Sequence, residues 1–184
     1  KDILYNILSK KVKDIKLLDL LKKIIYSNEG KTGLAIGNYT SQMFANIYLN
    51  EIDQYVKNTL NAKYYFRYMD DSILLIKTKE EAIEKLKRIK EFLEKKLELK
   101  LNNKTQIFKN KQGVNFCGYK INEYRLKIRD RGKRKLKEKV KKLTKEIKEG
   151  KINSKDAKKY LCGHLGYLKI ANTYNIENKL FEKE

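Results

Sequence analysis

Apolar residues recur at steps of three and four along much of this chain. Ile3, Leu4, Ile7, Leu8 and Val12 begin a helical stripe, and Leu17, Leu18, Leu21, Ile24 and Ile25 continue an apolar face. Asn28-Glu29-Gly30-Lys31-Thr32-Gly33 reads as a loop. The period resumes from Ser41 through Phe44, Ile47, Tyr48, Ile52, Tyr55 and Val56. Ser41 sits where a cap would, although a loop residue that meets a ligand has the same appearance.

The pattern then changes. Residues 63–69 and 72–77 are aromatic and β-branched, which predicts a β-hairpin with Asp70 and Asp71 at its tip. Residues 79–99 return to helical spacing, with Ile83, Leu86, Ile89, Phe92, Leu93 and Leu97 on one stripe. Segments 105–109, 114–121 and 125–129 read as short strands. A very basic helix follows over Lys133 to Lys148, Gly150 ends it, and a last helix spans about Ser154 to Ala171. The order predicts an α+β domain followed by a helical appendage.

Composition changes the picture in one respect. The chain has 184 residues, with 44 Lys+Arg against 23 Asp+Glu and a formal net charge of +21. An apolar content of 41%, with 13 Tyr and 6 Phe, still supplies a core and excludes a wholly disordered basic tail. The surplus points to a polyanion, most commonly nucleic acid. There is no Pro, so helices run unbroken. Cys117 and Cys162 match no metal spacing or redox pair, so a reduced, cytoplasmic chain is expected. No apolar run approaches the roughly 20 residues of a membrane span, and no membrane partner is expected.

Against that charge, two adjacent acids between apolar strands stand out. Asp favours turns, so a polar turn is one reading of Asp70-Asp71. The other is a cation site: adjacent carboxylates resist joint ionisation unless a cation compensates, and Mg²⁺ takes carboxylate oxygens while keeping places for phosphate and water. Paired acids among Lys and Arg suit two-metal phosphoryl transfer.

Tyr68-Met69-Asp70-Asp71 resembles the YxDD box of reverse transcriptases. Four further segments match that family in order. Gly33 to Gln42, followed by Phe44-Ala45-Asn46-Ile47-Tyr48-Leu49, resembles its second conserved motif, and Leu101-Asn102-Asn103-Lys104-Thr105 resembles the fourth. Val114-Asn115-Phe116-Cys117-Gly118-Tyr119 resembles the primer-grip motif. Gly163 to Leu168, continuing through Ala171 to Tyr174, is similar to the thumb helices of bacterial members. The resemblance covers about residues 1–175.

It implies a fold: a polymerase palm, that is, a ferredoxin-like antiparallel sheet with helices on one face and its first strand missing, over residues 1–129. A helical thumb would occupy 130–184. It also implies roles. Asp70 and Asp71 would be ligands of a two-metal Mg²⁺ site, and Tyr68 would lie under the primer end. Ile36, Gly37, Asn38, Ser41 and Gln42 would meet template or nucleotide. Lys104 would sit near the leaving pyrophosphate, and Phe116, Cys117, Gly118 and Tyr119 would grip the primer. Each has a plainer alternative: a strand aromatic for Tyr68, a turn glycine for Gly37, a helix cap for Ser41, a solvated side chain for Gln42, a surface charge for Lys104, and a buried strand for 116–119. His164 reads as structural or as a phosphate contact. The Lys133–Lys148 helix would track a hybrid duplex through its phosphates.

The implied partners are an RNA template, a DNA primer or cDNA, and dNTPs. Ile36-Gly37 and Ser41-Gln42 stand where group II intron enzymes usually carry Gln-Gly and Ser-Pro. That departure resembles the reverse transcriptases of diversity-generating retroelements, bacterial or phage systems that copy RNA with errors at adenines and work with a basic accessory protein. A group II intron or retron-like enzyme is the alternative, and a non-catalytic nucleic-acid-binding remnant of the same fold is a second. The family's first catalytic motif supplies a third carboxylate on an earlier strand. Lys1-Asp2-Ile3-Leu4 resembles the helix after that motif, so Asp2 reads as a helix-start residue. The expectation is a C-terminal fragment, without fingers, that does not polymerise by itself.

Overall fold

A computed structural model describes residues 1–28, 30, 32–35 and 37–173. Ile36 and Tyr174, both part of the motif matches, lie outside the described residues. The chain divides into two compact units, Lys1–Ile107 and Phe108–Glu184.

Three helices open the first unit: α1 (Asp2–Lys11), α2 (Ile15–Tyr26) and α3 (Tyr39–Gln54). Leu4 and Leu8 of α1, Ile25 of α2 and Phe44 of α3 bury together, as their helical spacing requires. Asp2 begins α1, and its carboxylate accepts a hydrogen bond from the Tyr26 hydroxyl. Asp14 caps α2 by accepting from the Leu17 N–H at 3.1 Å. Ser41 is not the cap of α3. The helix starts two residues earlier, Asn38 is the capping residue, and the Asn38 carbonyl accepts from the Ser41 N–H at 3.1 Å.

At its far end α3 relaxes into a π-helical turn, Tyr55–Thr59. That turn rolls Val56 and Leu60 into a second core with Ile52, Ala62, Ile89, Leu93 and Leu97. Tyr55 stacks on Phe92, ring centroids 4.2 Å apart. The strands β1 (Tyr64–Tyr68) and β2 (Asp71–Leu75) form an antiparallel hairpin, with Tyr65 and Leu74 packed against this core. Helix α4 (Lys79–Lys96) supplies the other side. The Thr78 hydroxyl accepts from the Glu81 N–H at 3.2 Å in a capping-box sequence.

The second unit holds β3 (Val114–Phe116), β4 (Tyr119–Ile121), β5 (Leu126–Ile128), α5 (Asp130–Lys148) and α6 (Ser154–Lys169). The strands form an antiparallel sheet in the order β3-β4-β5. Tyr119, Ile128, Leu136, Leu143, Ala157, Leu161 and Leu168 make its core. Asn172 closes the end of α6 on β5: its backbone N–H donates to the Leu126 carbonyl at 2.8 Å, and its side-chain oxygen accepts from the Leu126 N–H at 3.0 Å.

Three expectations change. Residues 105–109 form no strand; among the described residues the segment has no pairing partner. Residues 114–121 are two strands, because Cys117 (φ +47°) and Gly118 (φ +87°) reverse the chain in a two-residue hairpin loop. The described strands also make two small antiparallel sheets, of two and three strands, in place of one sheet. The compact units divide at 107/108. The reason is that Tyr119 and Ile128 of the sheet share one core with α5 and α6. Among the described residues no helix is long and apolar enough to cross a membrane.

Candidate active site

The β1–β2 register places the acids. Tyr68 pairs with Asp71, Phe66 with Ile73 and Tyr64 with Leu75. Met69 and Asp70 alone form the loop, so Asp71 is the first residue of β2 and not part of the tip. A two-residue loop suits the twist of the strands, and closing it that tightly draws the second acid into the ladder. Met69 takes a left-handed φ of +53° to make the reversal.

Side chains alternate across a strand, and directly paired residues share a face. Tyr64, Phe66 and Tyr68 therefore lie on one side with Asp71, and they remain 49%, 51% and 57% exposed. Asp70 and Asp71 are both exposed, and neither carboxylate takes part in a side-chain hydrogen bond or ion pair among the described residues. Among the described residues no third Asp, Glu, His or Cys joins them in a group able to hold a metal.

The opposite face of β1 carries a polar network that sequence reasoning missed. The Arg67 Nε and Nη2 donate to the two carboxylate oxygens of Asp53 on α3, at 2.8 and 2.7 Å. The Tyr65 hydroxyl donates to the same carboxylate at 2.7 Å. The Arg67 Nη1 donates to the Met69 carbonyl at 2.8 Å and to the Asn46 side-chain oxygen at 3.3 Å. Burial opposes the Asp53 charge, but hydrogen bonds from Arg67 and Tyr65, with the Arg67 and Lys57 charges, outweigh it and lower its pKa. Burial, then the hydrogen bond to Asp53 and its charge, push the Tyr65 phenol well up. From sequence, the available signal was a lone Arg67 among the aromatics of the strand that leads into the acids.

Other site residues lie elsewhere in the first unit. Gly37 and Asn38 are exposed just ahead of α3, and Gly37 adopts φ +93°, a conformation that favours glycine. Ser41 is half-buried in the first helical turn. Gln42 is exposed and lines an open groove of about 550 Å³ with Lys11, Tyr39, Met43, Asn46, Ile47 and Asn50. Lys104 is exposed in a turn where its backbone N–H donates to the Asn102 side chain at 3.0 Å. It forms no ion pair with Asp70 or Asp71.

In the second unit, Phe116 pairs with Tyr119 across the Cys117-Gly118 turn. Tyr119 is buried, stacks on Tyr167 with centroids 4.4 Å apart and donates its hydroxyl to the Tyr167 carbonyl at 3.1 Å. The Tyr167 hydroxyl in turn donates to the Gly118 carbonyl. The turn is thus held by α6, with Cys117 its exposed side chain.

A family model described as reverse transcriptase (RNA-dependent DNA polymerase) matches residues 7–121. The chain belongs to the reverse transcriptase family. No curated protein matches it. The matched span contains Gly37, Asp70, Asp71, Lys104 and the Phe116–Tyr119 hairpin, while α5 and α6 lie beyond it. Membership makes this a reverse-transcriptase-type polymerase, a family that uses a nucleic-acid template, nucleotide substrates and divalent metal ions. Two adjacent carboxylates with no ion pair among the described residues, on a reverse transcriptase of net charge +21, are a donor set suited to such ions.

Proposed function

We propose that this reverse transcriptase copies RNA into DNA by nucleotidyl transfer at Asp70 and Asp71, as part of an error-prone retroelement. The observation that carries the reading is the acid pair. In a chain with nearly twice as many basic as acidic residues, these two carboxylates engage no Lys or Arg among the described residues. Mg²⁺ bound there would stabilise the attacking and leaving oxygens of the transfer. Asp70 and Asp71 would be its ligands, Asp71 fixed by its pairing with Tyr68. The exposed Tyr68 ring offers a stacking surface to the primer end.

The remaining roles follow the resemblance. Gly37, Asn38 and Gln42 present backbone and amide groups to template or nucleotide, Ser41 less so from its half-buried position. Lys104 supplies a cation for the leaving pyrophosphate. The Cys117-Gly118 turn, between Phe116 and Tyr119, contacts the primer through its backbone. Residues 1–129 act as the palm and 130–184 as the thumb, where the Lys-rich face of α5 neutralises backbone phosphates. Ile36-Gly37 and Ser41-Gln42 favour the diversity-generating branch over group II intron or retron enzymes.

Primer extension by the intact protein on an RNA template tests this, followed by sequencing of the cDNA. The reading expects extension that needs Mg²⁺, stops with a chelator and misincorporates opposite template adenines. Faithful copying at adenines would contradict the retroelement branch, and no extension with Mg²⁺ would contradict the polymerase itself.

A further inference from the structure

We propose that Arg67, clamped by Asp53, is a positioning residue that sets the Met69–Asp70 peptide and so aims the acid pair. The proposal rests on the reading of Asp70 and Asp71 as metal ligands. Arg67 spends its donors on two things at once. Nε and Nη2 grip both oxygens of Asp53 on α3, while Nη1 holds the Met69 carbonyl, the last backbone acceptor before Asp70. Asn46, two helical turns before Asp53 on α3, accepts a further hydrogen bond from Nη1. The guanidinium thus ties the acid turn to a helix that is itself anchored in the core through Ile52.

The geometry asks for arginine in particular. Its planar fork fits a carboxylate with two parallel bonds and keeps a third nitrogen free, whereas the single ammonium of lysine does not span Asp53 and Met69 in this way. The carbonyl it holds belongs to the residue with the left-handed φ, at which a peptide flip would swing Asp70. The pair is also shielded, with side chains 14% and 18% exposed, so water competes weakly for it.

The test is Mn²⁺ binding to the intact protein, followed by electron paramagnetic resonance of the free ion, together with melting and the Mg²⁺ dependence of primer extension. Arg67→Lys preserves the charge and removes the fork. Its Mn²⁺ affinity should fall about tenfold, in line with the loss of an outer-shell partner of a metal ligand, and the Mg²⁺ needed for half-maximal extension should rise with it. Tyr65→Phe removes a bond to Asp53 without touching the Met69 carbonyl, so it should lower melting and leave Mn²⁺ affinity unchanged. If Arg67→Lys does not fold, Asp53→Asn, which keeps the shape and loosens the fork, should weaken Mn²⁺ binding in the same direction by a smaller factor. Asp70→Asn separates the two claims. Mn²⁺ binding lost in Asp70→Asn but intact in the Arg67 and Asp53 variants overturns the positioning role alone. Mn²⁺ binding unaffected in Asp70→Asn overturns the acid-pair reading beneath it. Equal losses in Tyr65→Phe and Arg67→Lys reduce the network to ordinary structural support and overturn the proposal.

Discussion

Asp53 shows how one half-buried carboxylate on α3 governs a strand that carries other carboxylates. Because its folded pKa lies below the ordinary value near 3.9, its contribution to stability is complete above that pH and is lost as pH falls through the folded value. Asp53→Asn should therefore melt below wild type at pH 7, with the gap closing as pH falls through and below the ordinary carboxylate value near 3.9. Thermal melts across that range check it, and a gap independent of pH would contradict the assignment. At this scale the sequence was legible where chemistry is local. Tyr68, Asp70 and Asp71 were readable because they are contiguous. Asp53, Asn46 and Arg67 were not, because their meeting depends on the β1–α3 packing, which a linear reading does not contain.

Among the elements, helices were read well because a 3.6-residue stripe needs only its own neighbours. α4 follows its apolar positions and its Thr78–Glu81 box. The misread elements depend on partners or on unusual backbone. Residues 105–109 carry the β-branched Thr105 and Ile107 and the aromatic Phe108, as strands do, but find no partner among the described residues. The 114–121 run hides a hairpin because Cys-Gly is not the Asn-Gly or Asp-Gly pair that normally signals one. That hairpin makes its own prediction. A Cβ on Gly118 would collide with the Tyr167 hydroxyl, and its φ of +87° strains any other residue. Gly118→Ala should destabilise the second unit by about 2 kcal/mol, and pairing it with Tyr167→Phe should recover part of the loss. Denaturation of the single and double variants measures this. Strictly additive losses would show that the hydroxyl is not what the methyl meets.

For the molecule as a whole, the opening surplus of charge now has a division of labour. Lys and Arg dominate α5, and the carboxylates of the hairpin acids form no ion pair among the described residues. Hybrid binding should weaken with salt, log K falling by roughly 0.9 for each phosphate neutralised on a duplex. That slope reports grip and not chemistry. The most direct test separates the two by comparing wild type with Asp70→Asn in the intact protein, measuring Mg²⁺-dependent extension on RNA and hybrid affinity side by side. Extension should disappear while affinity and its salt slope stay near wild type. An Asp70→Asn protein that extends primers like wild type would contradict the metal role of the acid pair.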